Sequence, residues 1–385
     1  MHIAGVVAEF DPLHLGHQHL LTEVRARLGA SCGIVAVMSG SFTQRGEAAI
    51  CTPTARAEMA LRAGCNLVLE LPLTFSLASA ERFAYGGISL LQAAGLVDTL
   101  CFGSECANAD LLHELADTLN SPDFGEILRS FLSAGVSFAY ARQQALETLL
   151  GKKVPAGAND LLATEYLRFW HGETIAVARS DAGHNGAQSA SEVRRKLLSG
   201  DQNAAFALLP EFSADILIRE SASGCAPASL LQLDRAMLCR MRAMTPEEFA
   251  AIPDCTEGLE NRLTAAAAQA RTMEEFYTLA KSKRYAHARL RRIALRAFLG
   301  ITELPDHPAY LRVLGADACG LEMLRRMKQT ASLPVITKTA HGHNLAAPAQ
   351  RQFLTDRAAD DLWGLCLAEV QPKGCAWRTG PVIFK

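Results

Sequence analysis

The chain has 385 residues, a length that suggests two or three domains, and 49% of its residues are hydrophobic against 20% charged. This composition is that of an ordinary globular protein and excludes a disordered, fibrous or low-complexity chain. Lys and Arg number 38 and Asp and Glu number 40, so the formal net charge is −2. A nucleic-acid partner would therefore need a local basic patch, because the net charge offers no general attraction.

The 11 cysteines are an odd number and are never spaced as C-x-x-C. This argues against a disulfide framework and a structural zinc site, and it favours a reducing compartment. The N-terminus lacks a basic region followed by a cleavage site, and no run of about 18 apolar residues occurs. We therefore expect a cytoplasmic protein that has no membrane partner.

Short apolar runs alternate with helix-compatible segments through the first half of the chain. Continuous apolar strands separated by helices predict an α/β fold with a parallel sheet, because right-handed crossovers cover both faces with helices. Strands are predicted at residues 3–8, 33–38, 66–71, 97–102 and 174–178, and helical segments at 16–28, 53–64, 79–94, 107–150 and from 189.

Strand signals fade after about residue 200, and alanine-rich helical patterns dominate residues 230–299. Residues 224–227 have the composition of a linker. We therefore predict an α/β domain over residues 1–205 and a mostly α-helical domain over residues 206–385.

The loop after the first strand carries the strongest chemical signal, because ligands of open parallel sheets bind at the carboxyl ends of the strands. Residues 9–17 read EFDPLHLGH and place His14 and His17 around Gly16 at the start of a helix. Helix N-terminal amides and imidazole donors suit phosphate oxygens, and a glycine lets the backbone come close. The two histidines could stabilise the charge that builds up as pyrophosphate leaves an α-phosphorus. A metal-binding pair or a helix-capping pair is the alternative.

Further polar groups lie at the same predicted end of the sheet. Glycines, serines and arginines there can supply backbone and guanidinium donors to an anion. Each segment alone is equally typical of an ordinary polar loop, so the interpretation depends on their shared location. The groups are residues 38–47 with Arg45, the segment CFGSE at 101–105, the turn PAGAND at 155–160, Arg179, Ser189, Ser191 and Arg194.

Several longer motifs occur in a fixed order along the chain. They read VVAEFDPLHLGH at 6–17, VMSGSFTQRGE at 37–47, RAEMA at 56–60, LELP at 69–72 and CFGSE at 101–105, followed by EGLENR at 257–262 and KSKRY at 281–285. Together they resemble the tRNA(Met) cytidine acetate ligase family, a branch of the nucleotidyltransferases whose first loop is a variant of the HIGH motif. The resemblance covers most of the chain, and ordered motifs are far more specific than H-x-G-H alone.

The resemblance implies a Rossmann-like nucleotidyltransferase domain of the HUP type, a helical tRNA-binding domain and a reaction in two steps. ATP and acetate would form acetyl-adenylate and pyrophosphate. The acetyl group would then pass to N4 of the wobble cytidine of elongator tRNA(Met), giving N4-acetylcytidine. The implied co-substrate is ATP with Mg²⁺, and no bound prosthetic group and no protein partner are required.

By motif, the resemblance implies catalytic roles for His14 and His17, and no protein metal ligand. Asp11, Leu13 and Leu15 depart from the Asn, Phe and Asn that are typical of this loop, while both imidazoles and the glycine are kept. The chemistry is therefore expected to hold while details of nucleotide contact differ. The implied ATP-binding residues are Val7, Ala8, Glu9, Phe10, Asp11, Pro12, Leu13, His14, Leu15, Gly16, His17, Gln18, His19, Leu20, Gly103, Asn159 and Arg179.

The strongest cluster of positive charge lies at residues 281–296. Part of it falls on one helical stripe, and a basic helix face with a tyrosine suits RNA phosphates and base stacking. The alternative is a solvated face whose arginines pair with Glu274 and Glu275. The predicted tRNA-binding residues are Lys281, Lys283, Arg284 and the stripe residues Tyr285, Arg289, Arg292 and Arg296.

Two other functions stay open at this point. A small-molecule adenylyltransferase of cofactor biosynthesis uses the same loop, but it needs neither the basic cluster nor the helical second half. A non-catalytic RNA-binding or ribosome-associated protein could keep a vestigial nucleotide fold. The presence of both His14 and His17 argues against such decay.

Overall fold

The computed structural model describes residues 1–179, 189–256, 258–282 and 285–384, and within these residues eight strands form one sheet. The strands are β1 (Ile3–Ala8), β2 (Gly33–Ser39), β3 (Leu67–Leu71), β4 (Thr99–Ser104), β5 (Glu173–Ala178), β6 (Leu311–Ala316), β7 (Val335–Ile336) and β8 (Val382–Ile383). Their order across the sheet is β5-β4-β1-β2-β3-β6-β7, and β8 also pairs with β6.

The five strands from β5 to β3 are parallel, whereas β6 runs antiparallel to β3. β7 and β8 pair in parallel with opposite ends of β6. β1 lies between β2 and β4, so the chain first extends the sheet on one side of β1 and later crosses to the other side. At this topological switch point, the carboxyl ends of β1 and β4 open a crevice in which such sheets bind their ligands.

Helices cover both faces of the sheet and form most of the second half. The α-helices of the described residues are α1 (Leu15–Leu28), α2 (Pro53–Arg62), α3 (Leu73–Ser76), α4 (Ala80–Ala94), α5 (Ala109–Asn120), α6 (Pro122–Ser133), α7 (Phe138–Leu150), α8 (Ala158–Leu167), α9 (Ala190–Leu198), α10 (Gln202–Phe206), α11 (Glu211–Ala222), α12 (Asp234–Ala243), α13 (Pro246–Ala250), α14 (Leu259–Gln269), α15 (Met273–Ala280), α16 (His287–Leu299), α17 (Ala318–Thr330), α18 (Thr339–Gly342) and α19 (Ala347–Trp363). Short 3₁₀ helices span Leu230–Leu233, Gly364–Cys366 and Cys375–Trp377.

The predicted α/β fold is confirmed, and four of the five predicted strands lie within one residue of the observed bounds. β4 begins two residues late, because the Asp98 carboxylate accepts from the Ile3 amide ahead of the strand. The helical stretch over residues 107–150 is divided into α5, α6 and α7. Pro122, which has no amide to donate, begins α6, and Gly135 with φ 78° follows its end.

The second half of the chain returns to the sheet through β6, β7 and β8. Alternation did not reveal β6, because all six of its residues are buried and one of them is the charged Arg312. Arg312 is tolerated there because it pairs with Glu70 at 2.5 Å and with Asp360 at 3.2 Å. The division at residue 205 stays a prediction, but the region beyond residue 206 supplies three strands as well as helices.

The core consists of three large hydrophobic clusters and one small one. One cluster packs α4, α5, α8 and α17 against one face of the sheet, and a second packs α1, α2, α9 and α11 against the other. The third joins α12 to α16 with α19 and takes in Phe42, Leu73 and Leu77 from the first half. The helical region therefore rests on the loop that follows β2.

The eleven cysteines all lie in the described residues, and all are free thiols. Burial raises the pKa of the Cys65 and Cys366 thiols to about 12, so these side chains pack as small hydrophobic groups. Among the described residues, no helix combines the length and the apolarity that a bilayer crossing requires.

Candidate active site

A cavity of about 370 Å³ lies at the carboxyl ends of β1, β4 and β5. Its walls are the loop between β1 and α1, the loop after β2, and residues of α1, α4, α8 and α9. This is the switch-point crevice that the sheet topology predicts.

His14 and His17 cap the first turn of α1 reciprocally. The Gly16 amide donates to Nδ1 of His14 at 3.0 Å, and the His14 amide donates to Nδ1 of His17 at 3.3 Å. The two rings lie 3.9 Å apart. Because both Nδ1 atoms accept, each neutral ring carries its proton on Nε2. His14 and His17 therefore do form a helix-capping pair, as the alternative interpretation of the sequence has it. Capping uses only the Nδ1 atoms, so both Nε2–H groups can donate to a ligand.

Both histidines are neutral at physiological pH. Burial, together with the charge of the nearby Arg179, lowers the pKa of His14 to about 4. Burial, His14 and Arg179 together hold the pKa of His17 well below its usual range. The pair can therefore donate hydrogen bonds to anionic oxygens while carrying no charge that titrates near pH 7.

The loop after β2 is tied to the first loop by a buried arginine. Arg56 is 0% exposed and donates to the carbonyls of Glu9 at 2.8 Å and Ser39 at 3.0 Å, and also to that of Gly40. The Gln44 amide donates to Oε1 of Glu9 at 2.7 Å. Arg56 belongs to the RAEMA motif but was not predicted as a site residue. It holds together the ends of two strands that form the cavity.

Charged and polar side chains line the part of the cavity near α9. Oδ1 of Asp11 accepts from the Ile50 amide at 2.6 Å, and Oδ2 lies 3.0 Å from Nη1 of Arg194. Arg45 donates to the hydroxyl of Ser191 at 2.6 Å. The negative charge of Asp11 is therefore offset by Arg194. The hydrogen bond to Ser191 holds Arg45 at the cavity wall.

The segment CFGSE is locked to the start of α8 by two carboxylates. Glu105 accepts from the amides of Asn159 and Asp160, and Asp160 in turn accepts from the amides of Glu105 and Cys106. The side chain of Asn159 is shared between Glu105 at 2.7 Å and Arg179 at 3.5 Å. This exchange fixes Gly103 and Asn159 on one wall of the cavity.

Comparison with known proteins places this geometry in a family. The family model for HIGH Nucleotidyl Transferase matches residues 1–375. A tRNA(Met) cytidine acetate ligase of Caldanaerobacter subterraneus subsp. tengcongensis is 34% identical over 386 residues and 95% of each chain, and one of Syntrophomonas wolfei is 35% identical over 414 residues and 99% of each chain. This chain belongs to the tRNA(Met) cytidine acetate ligase family.

Solved structures of the family have the same fold. Thermotoga maritima TmcAL bound with alpha-thio ATP superposes with a TM-score of 0.92 at 29% identity, over 100% of this chain and 99% of that one. The apo form of the same protein gives a TM-score of 0.93. Both sequence and fold therefore connect this chain to the ligase family over nearly its full length.

Most ATP-binding residues that the ligase family implies line the cavity. The exceptions are Pro12, Leu13, Leu15 and Gln18. Leu13 is buried in the core and Leu15 is exposed, because successive residues at a helix start point in different directions. Residues that line the cavity without having been predicted are mainly apolar, such as Phe83, Leu161, Leu162 and Tyr166. Their sequence signal is that of ordinary core residues.

The predicted basic stripe on α16 is not a free surface. Tyr285 is 6% exposed and Arg296 is 1% exposed, so neither of these two predicted tRNA-binding side chains lies on an exposed face. Arg296 donates to the Leu77 carbonyl at 2.6 Å and pairs with Asp254 at 2.6 Å. Tyr285 precedes α16, which begins at His287, and Arg296 lies on a side of α16 that faces the protein.

The remaining predicted tRNA-binding residues divide into three groups. Arg289 donates to the Asp254 carbonyl at 2.8 Å, and Arg292 donates to the Gln44 carbonyl at 3.1 Å in the loop that lines the cavity. Lys281 is exposed. The predicted RNA contacts Lys283 and Arg284 lie outside the described residues.

Proposed function

We propose that this protein is an ATP-dependent ligase that modifies tRNA. It forms acetyl-adenylate and pyrophosphate from ATP and acetate, and then transfers the acetyl group to N4 of the wobble cytidine of elongator tRNA(Met). The observation that carries the proposal is the pair of neutral imidazoles at the N-terminus of α1, in a chain of the ligase family. The names of the relatives and the alpha-thio ATP in the Thermotoga maritima structure support it.

The first step requires the site to offset negative charge, because acetate and the α-phosphate are both anions. The Nε2–H groups of His14 and His17 and the amides of the first turn of α1 would face phosphate oxygens. Arg45 and Arg179 add positive charge at two walls of the cavity. The capping bonds hold both imidazoles in place before the nucleotide arrives, so little reorganisation accompanies the reaction.

We expect Mg²⁺ to enter with ATP and to be coordinated mainly by phosphate oxygens and water, which is its usual mode in nucleotide sites. Among the described residues, no group of three His, Cys, Asp or Glu side chains could hold a metal. The ion would offset the charge of the phosphates. The roles proposed for the protein's own residues do not require a metal ion bound to the protein.

The second step brings RNA to the activated acetyl group. The helices α12 to α16 pack on the loop after β2, which lines the cavity, so RNA bound to this region would lie beside the nucleotide site. We propose that Lys281, Lys283 and Arg284 contact phosphates of the tRNA. We also propose that the protein acts in the cytoplasm without a protein partner. An unpaired anticodon-loop base leaves its stack at a cost of only a few kcal/mol. Because acetyl-adenylate is already an activated acyl donor, orientation supplies much of the acceleration.

The proposal is tested by incubating the protein with ATP, labelled acetate and tRNA transcripts. Label is expected to enter elongator tRNA(Met) alone. In His17→Asn the amide oxygen can still accept from the His14 amide but the Nε2 donor is lost, so acetylation should slow about 10²–10³-fold. His171→Asn, at an exposed position, should be as active as the wild type.

Two results would contradict the proposal. One is pyrophosphate release with nicotinate mononucleotide or phosphopantetheine in place of acetate, which would indicate a cofactor adenylyltransferase. The other is tight tRNA binding with no nucleotide chemistry, which would indicate a non-catalytic RNA-binding protein.

A further inference from the structure

Glu9 places a carboxylate inside a cavity that is otherwise suited to an anion. It follows β1 directly and lines the same cavity as His14, His17 and Arg179. A negative group at this place repels phosphates and weakens ATP binding. Its presence therefore indicates a task beyond holding the nucleotide.

The Glu9 carboxylate is held by one oxygen only. The Gln44 amide donates to Oε1 at 2.7 Å, and the backbone carbonyl of Glu9 is fixed by Arg56 at 2.8 Å. Within the described residues, Oε2 of Glu9 has no hydrogen-bond partner, although Glu9 borders the cavity. The arrangement holds the carboxylate in place and leaves one oxygen for a ligand.

The surroundings raise the basicity of this carboxylate. Burial raises the pKa of Glu9, the Gln44 bond lowers it, and the charge of Asp11 raises it again. Arg45 and Arg194 lower it, and Arg194 is itself paired with Asp11. On α8, Tyr166 also lies close enough for the charge of Glu9 to raise the pKa of its hydroxyl. The net shift moves Glu9 towards the pH range in which a general base works best.

We propose that Glu9 is the general base of acetyl transfer, an inference that rests on the proposed function. The N4 amine of the cytidine attacks the acetyl carbonyl carbon, and a C–N bond forms. The bond between that carbon and the phosphate oxygen breaks, and AMP leaves with the electron pair. The N4 proton passes to Oε2 of Glu9 and from there to water. The step consumes only the cytidine and acetyl-adenylate.

This role separates the two half-reactions. Acetate is already ionised at neutral pH, so acetyl-adenylate forms without a base. An exocyclic amine must lose a proton as it becomes an amide, so only the transfer step needs Glu9. A residue that merely supported the fold or bound ATP would affect both steps.

The decisive variant is Glu9→Gln, which retains an oxygen to accept from the Gln44 amide but cannot take a proton. Acetate-dependent exchange between ATP and labelled pyrophosphate should not fall, because removing a negative charge from the cavity does not weaken the binding of ATP. Single-turnover acetyl transfer to elongator tRNA(Met) should fall by about 100-fold or more. The wild-type transfer rate should rise with pH as Glu9 ionises, and this rise should disappear in the variant.

Two further variants complete the test. Glu9→Asp keeps a carboxylate one methylene farther back, so its transfer should be slower than the wild type but should retain the rise with pH. Glu23→Gln changes a carboxylate of α1 that pairs with Arg27 at 3.5 Å, and it should match the wild type in both assays.

The outcomes distinguish the base role from the proposed function. If Glu9→Gln transfers acetyl within about fivefold of the wild type, the departing AMP phosphate takes the proton and the base role is overturned. Equal losses of exchange and transfer would also overturn it. If the wild type itself shows no acetate-dependent exchange, the proposed function fails first.

Discussion

At the scale of single residues, His14 and His17 serve the fold and the site through different ring atoms. Their Nδ1 atoms cap α1, and the same bonds fix the tautomer that presents Nε2–H. Burial keeps both rings neutral by lowering the pKa of each. The spacing H-x-G-H thus encodes a local capping geometry, and the chemistry proposed for the pair depends on their place at the end of β1.

Gly16 is required by the position of the His14 ring. A Cβ at residue 16 would lie 2.8 Å from Cε1 of His14, well inside van der Waals contact. Gly16→Ala should therefore rotate the imidazole and slow acetate-dependent pyrophosphate exchange by about 100-fold, because a displacement of about 1 Å can have that effect. The melting temperature should change by only a few degrees.

Gly380→Ala is the matched control, since nothing lies within 4 Å of the added Cβ. Its exchange rate should equal that of the wild type. If Gly16→Ala exchanged pyrophosphate at the wild-type rate, the observed position of the His14 ring would not be required for the reaction.

At the scale of elements, α16 shows that an arginine stripe need not be a nucleic-acid surface. Arg292 binds the loop that lines the cavity, and Arg289 and Arg296 bind the segment at Asp254. Long apolar stems let such arginines pack inside while their heads find carbonyls. The helix therefore connects the helical region to the loop that lines the cavity.

Arg296→Ala is expected to destabilise the fold without a specific effect on RNA binding. It removes a buried side chain and leaves the Leu77 carbonyl without its donor, so the free energy of unfolding should fall by about 2–4 kcal/mol. Denaturant unfolding measures the loss, and tRNA affinity at a temperature where the variant is folded should be unchanged.

Lys281→Ala is the contrasting variant, because this side chain is exposed. It should leave stability within about 0.5 kcal/mol of the wild type, while lowering tRNA affinity and reducing the salt dependence of binding by about one unit of slope. If Arg296→Ala lost tRNA binding and Lys281→Ala did not, the conclusion that Arg296 serves only the packing of α16 would be contradicted.

At the scale of the whole molecule, a buried cluster of charges joins the end of the chain to the sheet. Arg312 of β6 pairs with Glu70 of β3 and Asp360 of α19, and its guanidinium lies 3.6 Å from the Trp377 ring centre. Nearby, the Leu73 amide and the Tyr310 hydroxyl donate to Asp356. The contacts of Arg312 with Glu70 and of Leu73 with Asp356 link positions more than 200 residues apart and make the second half part of the sheet's core.

The cluster predicts that stability falls as pH rises. Burial raises the pKa of Asp356 to about 8 and that of Glu70 to about 7, from ordinary values of 3.8 and 4.5. Between those limits the folded state holds protons that the unfolded chain has released, so the free energy of unfolding should decrease as pH rises through 7 and 8. Urea unfolding from pH 6 to pH 9 measures the slope.

Asp356→Asn should flatten this dependence, because an amide can still accept from Leu73 but does not ionise. Asp123→Asn, at an exposed position of α6, should keep the wild-type slope. A wild-type protein whose stability is constant or rises over this range would refute the assignment of protons to the cluster.

The sequence by itself determined features that depend on near neighbours. Apolar runs marked β1, β2, β3 and β5, Thr52 caps α2 directly before Pro53, and the first loop placed His14 and His17 at the start of α1. In each case the physical cause lies within a few residues along the chain, so local pattern is sufficient.

Only the tertiary structure decided which charges are buried. In the sequence, Arg296 has the pattern of a surface cation, and the charge of Arg312 obscures the strand β6. Both side chains are buried, because partners distant in sequence accept their hydrogen bonds. The same holds for Glu9, whose basicity depends on burial and on Gln44 from another loop. The energy of a charge depends on its surroundings in space, and a single sequence does not specify those surroundings.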